Sequence, residues 1–151
     1  METWPKIIFV LLFAALFAWP WWRSRSRAKE IRGLAVSLNL HYLGEALPSS
    51  FSLAGVPFDS MTSVWNVIDG EPRGTRIIAF DCTFGEGKGR WRRTVIAMKT
   101  QIGNVTVSAF DPYLRIEQLG DWTVIWRPKE LSLIPPGLMP VAELKAYLES
   151  S

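Results

Sequence analysis

One cysteine, Cys82, and one histidine, His41, are all that the 151 residues hold of the two side chains behind most metal and nucleophile chemistry. A lone cysteine closes no internal disulfide, so no disulfide framework organises the chain. That agrees with a reducing compartment. Zinc sites take three or four ligands, mostly Cys and His, and one of each leaves only scattered carboxylates to complete a set. No metal ligand, cofactor or catalytic residue is therefore assigned, and no enzyme activity is expected. A Gly-x-Ser-x-Gly elbow is missing. A Cys82–His41 pair is the remaining thiol option, but Cys82 lies in the most apolar stretch of the domain, residues 76–84 (RIIAFDCTF), where a buried inert thiol is expected.

The second scarcity is charge of one sign. The chain as a whole is basic, with a net charge of +3 and a pI near 9.2. Arg23, Arg25, Arg27, Lys29 and Arg32 stand against Glu30 alone, whereas Glu2 and Lys6 offset each other. The rest of the chain carries 11 basic and 12 acidic side chains. A nucleic-acid binder carries its positive charge on the folded domain; here it flanks an apolar segment. No nucleic-acid partner is expected.

That segment, residues 7–22 (IIFVLLFAALFAWPWW), holds sixteen residues without a charge. As a helix it spans ~24 Å, somewhat short of a ~30 Å hydrocarbon core. Trp4 before it and Trp19, Trp21 and Trp22 at its end suit the two interfaces, and Lys6 can snorkel outward. A cleavable signal peptide needs small residues after the apolar run, where this chain has Trp-Pro-Trp-Trp and arginines. The expectation is an uncleaved signal-anchor: a single-pass transmembrane helix in the inner (plasma) membrane. The five juxtamembrane basic residues place the N-terminus outside and the domain in the cytoplasm. The same residues can lie against anionic headgroups. Residues 1–27 thus read as anchor and basic stop-transfer tail, and residues 28–151 as one domain.

Within that domain, residues 28–40 place Ile31, Leu34, Ala35 and Leu38 at helical spacing, which predicts an amphipathic helix. From Phe51 the period becomes two. Strands are expected over 60–68, with Val64 and Ile68 on one face and Trp65 and Val67 on the other, and over 76–84. Three more are expected. One covers 91–100, with Val95 and Ala97 opposite Ile96 and Met98. The others cover 105–110 and 122–126, the last with Trp122, Val124 and Trp126 on one face. Short gaps between them imply antiparallel pairing. Residues 140–148 close the chain as a helix, with Val141, Leu144, Tyr147 and Leu148 on one side and Pro140 in the first turn. The fold class is α+β: an N-terminal transmembrane helix, an amphipathic helix, an antiparallel meander of about five strands and a C-terminal helix.

Three groups of residues invite chemistry. Gly85-Glu86-Gly87-Lys88-Gly89-Arg90 has the glycines of a phosphate loop but neither the P-loop spacing nor a following helix, and it reads as a hairpin turn. Lys88, Arg90, Arg92 and Arg93, with Lys99, make the one basic cluster of the domain, a candidate contact for headgroups or a protein partner, in which Arg93 points away from Arg90 and Arg92. Among the carboxylates Asp59, Asp69, Asp81 and Asp111, Asp81 stands out because an apolar strand surrounds it; a structural hydrogen bond to a turn or a backbone amide is the simplest role for it. Asn104-Val105-Thr106 matches a glycosylation sequon, which has no meaning in a cytoplasmic domain.

The words Phe51-Ser52-Leu53-x-Gly55, Asn66-Val67-Ile68-x-Gly70, Ala79-Phe80-Asp81, Gly85-x-Gly87-Lys88 and Arg93-Thr94-Val95 occur in that order. The arrangement resembles a group of uncharacterised bacterial single-pass membrane proteins with an "N-V-x-G … F-D-Y" β-rich domain, from which this chain departs by placing Cys82 after the Phe-Asp pair. That group has no assigned activity, so the resemblance implies a bacterial, membrane-tethered domain and carries no site across. The leading expectation is a membrane-anchored, non-catalytic interaction or scaffold domain whose partners are the lipid bilayer and a membrane or cytoplasmic protein. The alternative is a headgroup- or small-ligand-binding module built on the basic hairpin 85–99. A carboxylate-based enzyme using Asp81 ranks last.

Overall fold

The computed structural model describes residues 3–53, 55, 58–100, 114–128 and 137–150. Met1–Glu30 and Ile31–Ser151 form two compact units. Helix α1 is Thr3–Ser37, so the apolar run and the start of the amphipathic stretch belong to one helix rather than two. Among the described residues no helix is long and apolar enough to cross a membrane. The side chains of residues 10–12, 16, 17, 20 and 21, within the apolar run, lie outside the described residues.

The helical pattern through Leu40 stops three residues early, for a local reason. Asn39 adopts φ 55°, the left-handed conformation that asparagine tolerates better than most residues. This turn lets the Leu40 N–H reach back to the Ala35 carbonyl (2.8 Å) and the Asn39 N–H to that of Val36 (3.3 Å). That pair of bonds is a Schellman C-cap. Leu40, just beyond it, is buried with Leu34 and Ala35.

Among the described residues six antiparallel strands follow: β1 (His41–Gly44), β2 (Met61–Gly70), β3 (Ile77–Phe84), β4 (Trp91–Met98), β5 (Arg115–Leu119) and β6 (Trp122–Trp126), in the order β1-β2-β3-β4-β6-β5. The domain is therefore α+β, as expected, but not a simple meander, because β6 rather than β5 pairs with β4. Strands β1 and β5 were not anticipated; the strand expected at 105–110 and the sequon at 104–106 lie outside the described residues.

Alternation along the strands supplies two cores. On one face Ile68, Ile77, Ala79, Ile96, Met98 and Ile125 pack under Ile31, Leu34 and Ala35 of α1 and Leu144, Tyr147 and Leu148 of α2 (Val141–Ser150). On the other, Ile78, Phe80, Phe84, Val95, Ala97, Trp122, Val124 and Trp126 pack with Phe51 and Phe58 from the segment after β1. The aromatic rings there meet edge to face, Phe51 against Trp122 at 4.9 Å and Phe58 against Trp126 at 5.1 Å. The predicted facing of β4, β6 and α2 matches this arrangement. That of β2 does not. Val64 packs with the aromatic core, as Val67 does, and Ile68 with the helical one. The cause is a bulge between Trp65 and Ile68, where Asn66 takes φ 54° and the side-chain alternation restarts.

Replacing Asn39 by alanine should lower stability by about 1 kcal/mol, and by glycine should leave it unchanged or slightly raised. Urea denaturation of the full chain in detergent micelles, followed by tryptophan emission, measures both.

Candidate functional site

The bulge at Asn66 has a consequence for the interior. Its amide Nδ2 donates to Asp81 Oδ2 at 2.9 Å, and its Oδ1 accepts from the Tyr42 hydroxyl at 3.1 Å. From the opposite strand Thr94 Oγ1 donates to Asp81 Oδ1 at 2.7 Å and accepts the Met139 N–H at 2.9 Å. Asn66, Asp81 and Thr94 are all buried, Asp81 with 1% of its surface exposed. Both carboxylate oxygens are thus held by neutral donors, and the chain of bonds runs from β1 across three strands to the residues leading into α2. A structural role for Asp81 is the one expected from its apolar strand, but the bonds come from the side chains of Asn66 and Thr94 rather than from a turn or a backbone amide.

The other carboxylates do not gather around it. Asp69 binds Arg76 (3.2 Å), and it lies in register with Ile78 rather than with the Asp81 row. Asp59 accepts the Gly55 N–H (2.9 Å), and Asp111 lies outside the described residues. Among the described residues no three of His, Cys, Asp and Glu are grouped to hold a metal ion.

Cys82 is fully buried, with Val64 and Arg93 as its cross-strand neighbours, whereas His41 is exposed on β1. The nucleophilic pair is not formed. Burial, reinforced by the adjacent Asp81 carboxylate and opposed by Arg93, pushes the thiol far above its ordinary value. A thiol so placed is protonated at any physiological pH and does not act as a nucleophile.

The basic cluster divides. Arg90 and Arg92 are exposed. Arg93 is fully buried, so it is not available to a headgroup or a partner. Its Nε donates to the Arg127 carbonyl and its Nη1 to that of Arg92 (2.7 Å), and its guanidinium lies 4.3 Å from the centre of the Trp91 ring. The period-two reading that aims Arg93 away from Arg92 is correct; that direction is inward. Gly85 (φ 72°) and Gly87 (φ 57°) take left-handed conformations in the turn, and Gly87–Gly89 form a short 3-10 turn leading to a strand. The glycines serve the hairpin. The Lys88 side chain lies outside the described residues.

Of the basic residues that follow the apolar run, Arg23, Arg25, Lys29 and Arg32 are exposed and Arg27 is half-buried. Arg32 stacks 4.7 Å from the Tyr42 ring centre. A cleft of about 190 Å³, lined by Arg127, Glu143, Ala146 and Tyr147, is smaller than the roughly 300–1,000 Å³ of small-molecule sites. Arg127 and Glu143 pair with each other across 2.7 Å. Comparison of the chain with protein families, with curated proteins and with solved structures finds no match.

The raised Cys82 thiol predicts a pH dependence. The folded chain holds that proton above about pH 8.5, where an unfolded cysteine releases it. Stability from this group is therefore complete below that pH and falls as pH rises, by up to ~1.4 kcal/mol per unit. Urea titrations at pH 7.5 and 9.5 should show the loss, and Cys82→Ala should reduce it. In the folded chain Cys82 should resist maleimide until denaturant is added.

Proposed function

We propose that this chain is a membrane-tethered, non-catalytic interaction module: a single-pass inner-membrane anchor over residues 1–27 carrying a cytoplasmic α+β domain. The observation that carries the reading is the helical run of residues 7–22, free of charge, in which Ile7, Ile8, Phe9, Phe13, Trp19 and Trp22 are each more than half exposed. Large apolar side chains left on a surface mark contact with lipid or protein. Tryptophans at the run's end followed by arginines are the interfacial and topological signals of a spanning helix. The non-catalytic part is supported by the engagement of the two most suggestive interior residues: Asp81 holds strands together, and Cys82 is a protonated core thiol.

The test is extraction and protease access in bacterial cells producing the full chain. Alkaline carbonate should leave it in the membrane pellet and release a version lacking residues 1–27, and protease added to spheroplasts should spare the domain. Release of the full chain by carbonate would refute the anchor. Digestion of the domain in intact spheroplasts would refute the orientation.

A further inference from the structure

The face of the sheet that bears the helices is not uniform along β3. Ile77 and Ala79 pack in the helical core, whereas Asp81 and Thr83, further along the same face, are polar. Trp65 lies in register with Asp81 on one side, and Arg92 with Thr83 on the other. Cross-strand partners share a face, so Trp65 and Arg92 reach toward each other across β3. The Arg92 guanidinium sits 5.7 Å from the Trp65 ring centre. Thr83 beneath them is 4% exposed. Trp65 is half-buried, Arg92 exposed, and Arg90, two residues earlier on the hairpin, exposed as well. The Asn66 bulge restarts the alternation directly after Trp65.

A half-buried indole with the guanidinium of an exposed arginine over its ring is a side-chain combination suited to a lipid headgroup layer. The charge is local. In the hairpin sequence 85–99 Glu86 is the only acid beside Lys88, Arg90, Arg92, Arg93 and Lys99, while the domain as a whole is close to neutral. We infer that Trp65, Arg90 and Arg92 form a docking surface for the anionic face of the bilayer in which the chain is anchored. This deepens the tether reading and rests on it. A spanning helix confines the domain near the membrane, so the surface works at high effective concentration and needs little intrinsic affinity.

Gly89, at the tip of the hairpin, has open space around the position a Cβ would take. Gly89→Cys can therefore carry a polarity-sensitive fluorophore in the full chain, with Cys82 too buried to react. Incorporated into nanodiscs of phosphatidylcholine containing phosphatidylserine, the probe should show blue-shifted emission relative to phosphatidylcholine alone, and the shift should fade with added salt. Arg90→Gln with Arg92→Gln should lower the docked-to-undocked ratio roughly 30-fold, and the two lysine substitutions should retain most of it. Lys145→Gln, which removes an exposed charge on α2, should leave the shift in place. Equal emission in both lipids, or a shift unchanged by the glutamine pair, overturns the surface. So does a shift reproduced by inorganic phosphate in phosphatidylcholine discs, or one lost equally with Lys145→Gln. A chain that never enters the disc removes the tether and this surface together; entry without a shift removes the surface alone.

Discussion

Placing a carboxylate inside an apolar sheet costs several kcal/mol unless hydrogen-bond donors replace the lost water. At Asp81 the donors come from both neighbouring strands, Asn66 on β2 and Thr94 on β4. The geometry needed to supply them shapes much of the domain. Asn66 reaches the carboxylate from a bulge in a left-handed conformation, and that bulge sets which side chains of β2 enter which core. Thr94 also accepts the Met139 N–H, which fixes the chain leading into α2 and so the helix that covers one face of the sheet. A hydrophobic side chain at position 81 would fill similar volume but orient none of these partners.

The groups that would draw attention in a sequence search for chemistry, Asp81, Cys82, Arg93 and the glycines around Lys88, each have a structural role in holding strands, filling the core or turning the hairpin. The surfaces on which the proposed interactions rest lie outside: the exposed apolar and aromatic side chains of the N-terminal unit and the Trp65–Arg92 surface of the domain. The basic pI follows the same division, since the excess positive charge belongs to the residues after the apolar run and not to the fold.

Legibility from sequence followed the local physics. Strands β4 and β6 alternate without interruption, so Val95 and Ala97 against Ile96 and Met98, and Trp122, Val124 and Trp126 together, were readable from period two alone. The same rule misplaced Val64 relative to Ile68, because a bulge adds a residue without altering the pattern of residue types. Strand β1 is only His41–Gly44, and β5, Arg115–Leu119, mixes charged and apolar residues at an edge. Neither offers a periodic signal, and both exist through pairing with β2 and β6. The end of α1 was legible only as a pattern running to Leu40, since a Schellman cap built on asparagine has no glycine to announce it. The Asp81 site was visible as an oddity in an apolar strand. Its partners were not, because Tyr42, Asn66, Thr94 and Met139 meet through register. Arg93 sat in a basic run that reads as solvated, although its alternation pointed inward.

The central claim is that Asp81 is a structural hub linking β2, β3, β4 and the approach to α2. A double-mutant cycle tests it most directly, with Asp81→Ala, Thr94→Val and the two combined in the full chain, unfolded by urea in detergent. Strong coupling is expected, with the double substitution costing ~1–3 kcal/mol less than the sum of the single ones. Costs that add to within ~0.5 kcal/mol would contradict it, since independent sites behave that way.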